Sequence, residues 1–489
     1  MGALRNFWSG TASGIELEPD LKMDKTTEGK KSDGLSAEMP DISGNFVITE
    51  DMKPINVGLL GIGTVGGGTF AVLKRNQEEI TRRAGRGIVI RMIADRDVEK
   101  ARNLAADDVI VTDDANSVVT NPDIDIVVEL IGGSTIAREL TLKAIENGKH
   151  VITANKALLA SHGTEIFAAA QRKGVMVAFE AAVAGGIPII KALREGLAAN
   201  RIEWIAGIIN GTSNFILSEM RDKGLTFDTV LKQAQKLGYA EADPTFDIEG
   251  IDAAHKLTIM ASIAFGIPMQ FDRAYTEGIT NLTREDIRYA EELGYRIKLL
   301  GITRRTSRGI ELRVHPTLIP ARRLIANVEG VMNAIVVKGD AVGATLYYGA
   351  GAGAEPTASS VVADLVDVTR MHTADPRHRV PHLAFQPDLL SNTPILAMQE
   401  VETSYYLRLR VIDKPGALAD IARVLADLGI SIEAMVQKEP SEGEDQVDII
   451  MLTHLAMEKN IDAAIAKIKK LPLTTGKVTR IRLEHLSSK

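Results

Sequence analysis

Residues 55–66 read INVGLLGIGTVG, a short apolar run that leads directly into three spaced glycines. The run is typical of a buried strand, and an apolar pattern with helical spacing follows it. In such a strand–turn–helix, Gly61 permits the tight turn, Gly63 lets a pyrophosphate approach the backbone, and Gly66 lets the helix pack closely. The helix N-terminus would supply N–H groups to the phosphates. The stretch predicts a dinucleotide-binding turn; a glycine-rich structural turn is the alternative.

Strands and helices alternate through the next part of the chain, which is typical of a parallel, doubly wound sheet. We therefore predict an α/β fold that begins with a Rossmann-like nucleotide-binding domain over residues 54–185. The candidate strands are residues 87–94, 123–132, 150–160 and 175–183, with a helix at 165–174 between the last two.

The pattern changes after Pro188, where helices and strands mix without strict alternation. This mixture predicts a second, α+β domain over residues 186–352, and a helix at 353–375 is expected to return to the first domain. The expected helices of the second domain are residues 189–200, 227–238 and 248–266, and its expected strands are 203–209, 309–316 and 332–339.

The C-terminal part, residues 403–489, reads strand, helix, strand, strand, helix, with a last strand over 479–486. This order is a ferredoxin-like βαββαβ plan. Residues 376–402 are rich in proline and polar residues and are interpreted as a linker. Residues 1–53 are polar and lack periodicity, which predicts a disordered tail, with Met52 as a candidate alternative start.

The composition argues against several classes of protein. The formal net charge of −7 is unlike a nucleic-acid footprint, so no nucleic-acid partner is expected. The absence of cysteine excludes disulfides, thiolate metal sites and a cysteine nucleophile, and it fits a reducing cytoplasm. No apolar run reaches the roughly 18–20 residues that a membrane span needs, so no membrane partner is expected either.

The second predicted strand ends in Asp95-Arg96-Asp97, where a contact with the adenosine ribose is expected. An acid at this point would bind the ribose 2′-hydroxyl of NAD, whereas an arginine would bind the 2′-phosphate of NADP. Both types of residue are present, so the cofactor stays open between NADP and NAD, with NADP slightly favoured through Arg96. A solvated loop acid is the alternative for Asp97.

The segment GYAEADPTFDIEGIDAAHK, residues 238–256, places five carboxylates before one lysine. Gly238 suits a helix C-cap, and acids at the start of the next helix suit its dipole. Asp252 and Lys256 are four residues apart, which places them on one helix face. A surface ion pair worth about 0–1 kcal/mol is the alternative. The helix continues as LTIMASIAFG, so a charged pair on it indicates a functional cleft.

The pattern AxxxGYAxxDPxxDIxGxDxxxK over residues 234–256 resembles the signature of homoserine dehydrogenases. The resemblance covers about residues 54–375, and the DKPGALADIA turn at 413–422 resembles an ACT regulatory domain. The other matching segments are GIGTVG (61–66), ANK (154–156), EAAVAGGIPII (180–190), NGTSNFIL (210–217) and GAGAEPTASSVVADL (351–365).

The resemblance implies an NAD(P)-dependent enzyme that interconverts L-homoserine and L-aspartate 4-semialdehyde in threonine, methionine and isoleucine biosynthesis. Lys256 resembles the lysine that exchanges a proton with the substrate oxygen, with Asp252 to orient it. Lys156 resembles a further active-site lysine, and a surface lysine that extends its charge into solvent is the alternative. Residues 186–352 would then be the catalytic and dimerisation domain. The implied substrate ligands are Glu241, Asp247 and Asp252; the cofactor contacts are Gly61, Gly63, Thr64, Val65, Gly66, Arg96, Lys156, Gly238 and Gly353; and the ligands of a monovalent cation, Na⁺ or K⁺, are Glu180, Val183, Gly185 and Ile187.

In ACT proteins an amino acid often binds at an interface between two such domains. The resemblance therefore implies a homodimer or homotetramer, and L-threonine is the expected effector. Family members often have asparagine at the position of Ser431, and a purely structural dimerisation module is the alternative. The candidate effector contacts are Asp413, Gly416, Ala417, Leu418, Ile430, Ser431 and Ile432.

Two other functions stay open beside this interpretation. One is a dehydrogenase of another amino-acid-like substrate, and the other is an inactive amino-acid sensor that uses the C-terminal domain. The presence of Lys256, Asp252 and Glu241 argues against the sensor. Because nearby carboxylates favour a charged ammonium, we expect them to raise the pKa of Lys256 and oxidation to be fastest at alkaline pH.

Overall fold

The computed structural model describes residues 53–438 and 444–486. The predicted tail, including Met52, lies outside the described residues except for Lys53. Among the residues that the structure describes, no helix is both long and apolar enough to cross a membrane.

The described part of the N-terminal domain contains a sheet of six parallel strands. They are β1 (Ile55–Leu60), β2 (Ile88–Ala94), β3 (Ile110–Thr112), β4 (Ile126–Glu129), β5 (His150–Thr153) and β6 (Val177–Ala178). Their order, β3-β2-β1-β4-β5-β6, is that of a dinucleotide-binding Rossmann fold, which confirms the predicted fold class. The order reverses between β1 and β4, so a ligand crevice is expected at the carboxyl ends of these two strands.

Helices connect these strands. They are α1 (Thr64–Arg75), α2 (Gln77–Ala84), α3 (Val98–Leu104), α4 (Ala115–Thr120), α5 (Thr135–Glu146) and α6 (Lys156–Lys173). Strand β5 ends earlier than expected, because the side chain of Asn155 accepts the N–H of Leu158 at 3.0 Å and caps α6. Strand β3 was not predicted, since three residues are too few to show a period of two.

The second domain is built on another sheet and confirms the predicted α+β class. Its elements are α7 (Ile189–Lys191), β7 (Ile202–Ile208), α8 (Gly211–Lys223), α9 (Phe227–Lys236), α10 (Thr245–Ile248), α11 (Ile251–Phe265), β8 (Tyr275–Thr276), α12 (Arg284–Glu292), β9 (Tyr295–Arg305), β10 (Ile310–Pro320), β11 (Met332–Gly339) and β12 (Gly343–Ala350). The next helix, α13 (Ala354–Met371), packs into the core of the first domain beside α1. The main strands lie in the order β12-β11-β7-β9-β10. Strands β8, β9 and β12 were missing from the sequence prediction.

The C-terminal domain has the predicted βαββαβ order, with one additional two-residue strand, β16, before the second helix. Its elements are β13 (Glu402–Ile412), α14 (Ala417–Asp427), β14 (Ile432–Gln437), β15 (Gln446–Thr453), β16 (Ala456–Met457), α15 (Glu458–Ile468) and β17 (Thr479–Leu483). Strand β17 pairs antiparallel with β13 and parallel with β10. The second and third domains therefore share one continuous sheet, which the sequence did not predict.

Helix α11 runs through the interior of the second domain. All residues from Asp252 to Phe265 are buried. The sequence predicted one helix from residue 248, but Gly250 interrupts it with a φ of +81° in the left-handed region. A side chain on Gly250 would also press on Val314, because an added Cβ would lie 3.0 Å from its Cγ1 atom. The interruption sets the start of α11 at Ile251.

We predict that Gly68→Ala destabilises the protein, whereas Gly67→Ala does not. Helix α1 packs against α13 so closely that a Cβ on Gly68 would lie 2.5 Å from the backbone oxygen of Ala354. Such overpacking typically costs about 1–3 kcal/mol. An added Cβ on Gly67 would lie 3.9 Å from the nearest heavy atoms. The alanine variant should therefore be more stable by up to about 1 kcal/mol, because alanine has the higher helix propensity. Thermal melting of the two cofactor-free variants measures the difference, and equal melting temperatures would contradict it.

Candidate functional site

A buried ion pair lies at the start of helix α11. Lys256 Nζ donates to Asp252 Oδ2 at 2.7 Å and to the backbone carbonyl of Ile209 at 2.8 Å. The side chains of Lys256 and Asp252 are only 11% and 6% exposed. The pair is therefore not a surface ion pair, and two acceptors fix the position of the lysine nitrogen.

Lys156 reaches the same carboxylate from the nucleotide-binding domain. It is the first residue of α6, directly after β5 and its cap, and its Nζ lies 3.1 Å from Asp252 Oδ1. Its side chain is 34% exposed, so it also faces solvent. One buried carboxylate thus contacts two ammonium groups that come from different domains.

Asn210 completes the cluster and was not singled out from the sequence. Its Nδ2 donates to Asp247 Oδ1 at 2.7 Å and to Asp252 Oδ2 at 2.9 Å. Its Oδ1 accepts the N–H of Ser213 at 2.8 Å and caps α8. An asparagine before a helix signals an N-cap in the sequence. No local sequence pattern predicts its contacts with two acids that lie some forty residues further along the chain.

Burial and charge together set the protonation of this cluster. Burial alone would raise the pKa of Asp252, but the charges of Lys256 and Lys156 hold this pKa well below its usual range. Burial lowers the pKa of Lys256 despite the attraction of Asp252. The acids do raise the pKa of Lys256, but the expectation that its pKa lies above the usual value is wrong, because the desolvation of the ammonium outweighs them. Burial also raises the pKa of Asp247.

Glu241 lies apart from this cluster. It is exposed on the loop between α9 and α10, and within the described residues its carboxylate has no hydrogen bond or ion pair. Gly238 lies on the same loop with a φ of +74°, and its N–H donates to the carbonyl of Gln235 at 3.1 Å. Gly238 thus ends α9 as a helix cap, and its contact with a cofactor stays a prediction.

The glycines of the first turn have the geometry that a pyrophosphate needs. Gly61 has a φ of +94°, and an added Cβ would lie 2.8 Å from the backbone oxygen of Leu130. A Cβ on Gly66 would lie 2.1 Å from the oxygen of Gly61, so the helix packs directly on the turn. At Gly63 no atom lies within 4 Å of such a Cβ, which leaves open space at the start of α1. These residues fit a dinucleotide phosphate.

Three further predicted cofactor contacts lie at helix N-termini. Thr64 and Val65 are the first two residues of α1, and Gly353 directly precedes α13 with a φ of +120°. The close approach of Gly68 to Ala354 brings these two helices together near their starts. Two helix N-termini beside one crevice favour a negatively charged ligand there.

A cleft of about 740 Å³ extends from the turn to the end of β2. Asp95 accepts the N–H of Ile62 at 2.5 Å, and Asp97 accepts the N–H of Lys100 at 3.0 Å as the N-cap of α3. Both acids therefore stabilise the loop itself. Arg96 lines the cleft, is exposed, and has no ion pair with any described residue.

The predicted cation loop turns sharply at Ala184 and Gly185, which have φ values of +57° and +54°. The carboxylate of Glu180 accepts hydrogen bonds from the N–H groups of Ile190 at 2.9 Å and Lys191 at 2.8 Å. Both of its oxygens therefore already have a hydrogen-bond donor. Within the described ranges, no group of three His, Cys, Asp or Glu side chains could hold a metal. A cation could bind this loop only through backbone oxygens. Of these oxygens, that of Gly185 already accepts a hydrogen bond from Ser360 Oγ at 2.6 Å, and that of Ile187 accepts one from the N–H of Ile189 at 2.8 Å. The oxygens concerned belong to Glu180, Val183, Gly185 and Ile187.

The predicted effector contacts form two groups within one chain. The first group surrounds the start of α14, where Gly416 has a φ of +97°, and the second directly precedes or begins β14. Helix α14 separates the groups by about 16 Å, at about 1.5 Å per residue. The two groups can therefore form one site only across two chains. The first group is Asp413, Gly416, Ala417 and Leu418, and the second is Ile430, Ser431 and Ile432.

Three family models match the chain in separate segments. Residues 61–180 match the NAD-binding domain of homoserine dehydrogenase, residues 188–366 match homoserine dehydrogenase, and residues 405–473 match the ACT domain. The site cluster lies within the first two segments, with Lys156 in one and Lys256 in the other.

The chain is also similar to proteins and solved structures that are named homoserine dehydrogenase. A homoserine dehydrogenase of Pseudomonas aeruginosa is 66% identical over 89% of this chain and 100% of its own length. The crystal structure of a homoserine dehydrogenase from Thiobacillus denitrificans is 74% identical, with a TM-score of 0.86 over 89% of this chain and 99% of that one. A hyperthermophilic archaeal homoserine dehydrogenase in complex with NADPH is 25% identical, with a TM-score of 0.56 over 66% of this chain and 100% of that one.

We predict that Asp252→Asn destabilises the protein by about 3 kcal/mol, because it leaves the buried Lys256 ammonium without its counterion. The double variant Asp252→Asn with Lys256→Met should recover part of this loss, since it removes the uncompensated charge as well. Urea unfolding at neutral pH measures both variants. A double variant that is as unstable as the single variant would show that the charge imbalance is not the cause.

Proposed function

This chain belongs to the homoserine dehydrogenase family, and we propose that it catalyses the NAD(P)-dependent interconversion of L-homoserine and L-aspartate 4-semialdehyde. One observation carries the proposal. A buried amine, Lys256, is held by Asp252 at a point that Lys156 of the nucleotide-binding domain also reaches. A proton-transfer group next to a dinucleotide-binding domain is what the oxidation of an alcohol requires.

Lys256 moves the proton in both directions of this reaction. The nicotinamide, when bound, accepts or supplies the hydride. During oxidation the neutral amine takes the proton of the hydroxyl group, and burial favours that neutral form. During reduction the ammonium returns a proton to the aldehyde oxygen. Asp252 and the carbonyl of Ile209 accept from the nitrogen and hold it in place.

The remaining charges suit the amino-acid head of the substrate. Lys156 is partly exposed and can receive the substrate carboxylate. Asp247 bonds Asn210 through Oδ1, and no described residue bonds its Oδ2 atom, which can receive the substrate ammonium. Glu241 lies on an exposed loop, so it could contribute only if that loop moves towards the substrate.

NADP is the cofactor that we favour. Arg96 is the cationic group at the end of β2, and Asp95 and Asp97 are engaged in backbone hydrogen bonds. An arginine at this place suits a ribose 2′-phosphate. The archaeal relative that was solved with NADPH supports the same choice.

The proposal also covers a bound cation, regulation by an amino acid, the biosynthetic pathway and the cellular location. A monovalent cation, Na⁺ or K⁺, would be held by backbone oxygens of the loop at residues 180–187. The ACT domain would bind an amino acid, with L-threonine as the expected effector, in a homodimer or homotetramer. The reaction would serve threonine, methionine and isoleucine biosynthesis. A cytoplasmic location is part of the proposal, since a chain without cysteine fits a reducing compartment.

We predict that Lys256→Met lowers kcat by about 10²–10⁴-fold while the protein stays folded and binds its cofactor, because it removes the proton-transfer group. Initial rates with L-homoserine and NADP or NAD, followed by nicotinamide absorbance, measure this loss and show the preferred cofactor. Lys149→Met is the matched control, since Lys149 is a buried lysine that donates to backbone carbonyls elsewhere. No turnover by the unaltered protein, in either direction and with either cofactor, would favour the amino-acid sensor.

We predict opposite pH profiles for the two directions of the reaction. Oxidation needs neutral Lys256, so its kcat should rise with pH through the lowered pKa of this lysine and then level off. Reduction needs the ammonium, so its kcat should fall over the same range. The midpoint should lie below the ordinary lysine pKa of about 10.4. Oxidation rates that do not change over the whole range from acidic to alkaline pH in which the protein stays folded would rule out Lys256 as the base.

A further inference from the structure

A buried carboxylate, Glu129, lies beneath the cofactor crevice and takes no part in the proton transfer by Lys256. It is the last residue of β4, at the point where the strand order reverses, and none of its surface is exposed. Among the described residues, no lysine, arginine or histidine forms an ion pair with it. A buried carboxylate is costly unless hydrogen bonds compensate it, so its partners indicate what it stabilises.

One oxygen of Glu129 holds the loop that follows β4. Glu129 Oε1 accepts the N–H of Ile131 at 3.0 Å and the N–H of Gly132 at 3.2 Å. Gly132 and Gly133 both have a φ of +73°, and no atom lies within 4 Å of an added Cβ on either, so the loop faces open space. Ile131 and Gly132 line the cleft of about 740 Å³ that extends from the glycine turn. The carboxylate therefore fixes part of the floor of the cofactor cleft.

This loop lies on the side of the cleft where the nicotinamide is expected. In a Rossmann fold the dinucleotide crosses the crevice at the reversal of strand order. Its adenosine ribose is expected at the end of β2 and its pyrophosphate at the turn before α1, so its nicotinamide half should extend over the ends of β4 and β5. Glu129 ends β4, and Thr153 ends β5. Both side chains would therefore lie beneath the reacting half of the cofactor.

The other oxygen of Glu129 leads to Lys156. Glu129 Oε2 accepts the hydroxyl group of Thr153 at 2.6 Å, and Thr153 Oγ1 accepts the N–H of Asn155 at 2.9 Å. Asn155 caps α6, and its Nδ2 donates to the carbonyl of Gly133 at 2.6 Å. This last bond returns to the loop, so the hydrogen bonds form a closed ring. Because Lys156 is the first residue of α6, one ring holds both the loop and this lysine.

We propose that Glu129 is a positioning residue of the reaction. Its carboxylate fixes the loop beneath the nicotinamide and, through Thr153, the start of α6, so that Lys156 receives the substrate carboxylate beside the reacting carbon. The proposal rests on the proposed dehydrogenase function for the role of Lys156. It extends the active site beyond the ion pair of α11 to a buried group that touches neither substrate nor cofactor.

Fluorescence titration with NADPH, followed by titration of L-homoserine into the NADPH complex, measures both binding sites without turnover, because both ligands are in the reduced state. Glu129→Met keeps the length of the side chain but removes both acceptors. It should weaken the binding of NADPH and of L-homoserine by about tenfold each, the loss expected for one charge-assisted hydrogen bond.

Two variants of Thr153 separate the two arms of the ring. Thr153→Val breaks the link to α6 but leaves the bonds of Glu129 with the loop. It should therefore weaken the binding of L-homoserine by about tenfold and leave the affinity for NADPH unchanged. Thr153→Ser keeps the hydroxyl group and is the matched control, with both affinities as in the unaltered protein.

The pH profile of oxidation separates positioning from a simple loss of stability. The charge of Lys156 contributes to the lowered pKa of Lys256. In Thr153→Val, where Lys156 is released from its place, the pKa of Lys256 should rise. The rise of kcat/KM with pH should then lie at higher pH than in Thr153→Ser. Thermal melting of the same samples measures stability, and a variant that is only destabilised would keep the pH midpoint of the control.

Two results would overturn the proposal. One is an unchanged affinity for NADPH in a folded Glu129→Met variant. The other is a Thr153→Val variant whose affinity for L-homoserine and pH midpoint equal those of Thr153→Ser, and this pair decides even where Glu129→Met does not fold. An unaltered protein that binds NADPH but not L-homoserine would instead contradict the proposed function. The NADPH affinity of Glu129→Met would still support or overturn the role of Glu129 at the loop.

Discussion

The buried carboxylate of Asp252 is the constraint on which the active site depends. It lies on a helix that is buried along its length, so the carboxylate needs an opposite charge and hydrogen-bond donors within the protein interior. Lys256 comes from the same helix, Asn210 from the start of α8, and Lys156 from the nucleotide-binding domain. Their convergence on one carboxylate couples the position of Lys256, the proposed proton-transfer group, to the domain that would hold the cofactor.

The local part of this site could be predicted from the sequence, and the remote part could not. The spacing of Asp252 and Lys256 fixes their shared helix face, and the glycine spacing fixes the turn before α1. The roles of Asn210 and of the Ile209 carbonyl depend on contacts over more than forty residues, which leave no local pattern. The predicted direction of the pKa shift of Lys256 was wrong for a related reason. Neighbouring acids are visible in the sequence, but complete burial is a property of the packed domain.

The same distinction applies to the fold. The alternation of strands and helices predicted the Rossmann-like and ferredoxin-like domains, because each uses short connections and regular periods. The pairing of β17 with β10 joins strands that lie more than 150 residues apart. Strand β10 is buried along its whole length, and its central Arg313 is matched by Glu311 on the same strand and by Glu484 after β17. A charged residue inside a buried strand indicates that an oppositely charged side chain lies against it, but the sequence does not show which segment supplies that side chain.

This continuous sheet limits how the ACT domain can act on the catalytic domain. Arg482 on β17 is fully buried and bonds Glu458 of its own domain as well as Glu277 and Tyr275 of the catalytic domain. Separating the domains would break these bonds and leave a buried charge without a partner, which typically costs about 3–5 kcal/mol. Under the proposed regulation, a signal would therefore be carried more easily by a small shift within the shared sheet than by release of the domain. Glu277 is the natural point for such a shift, because it directly follows β8 and begins the segment, residues 277–282, that packs against residues 248–249.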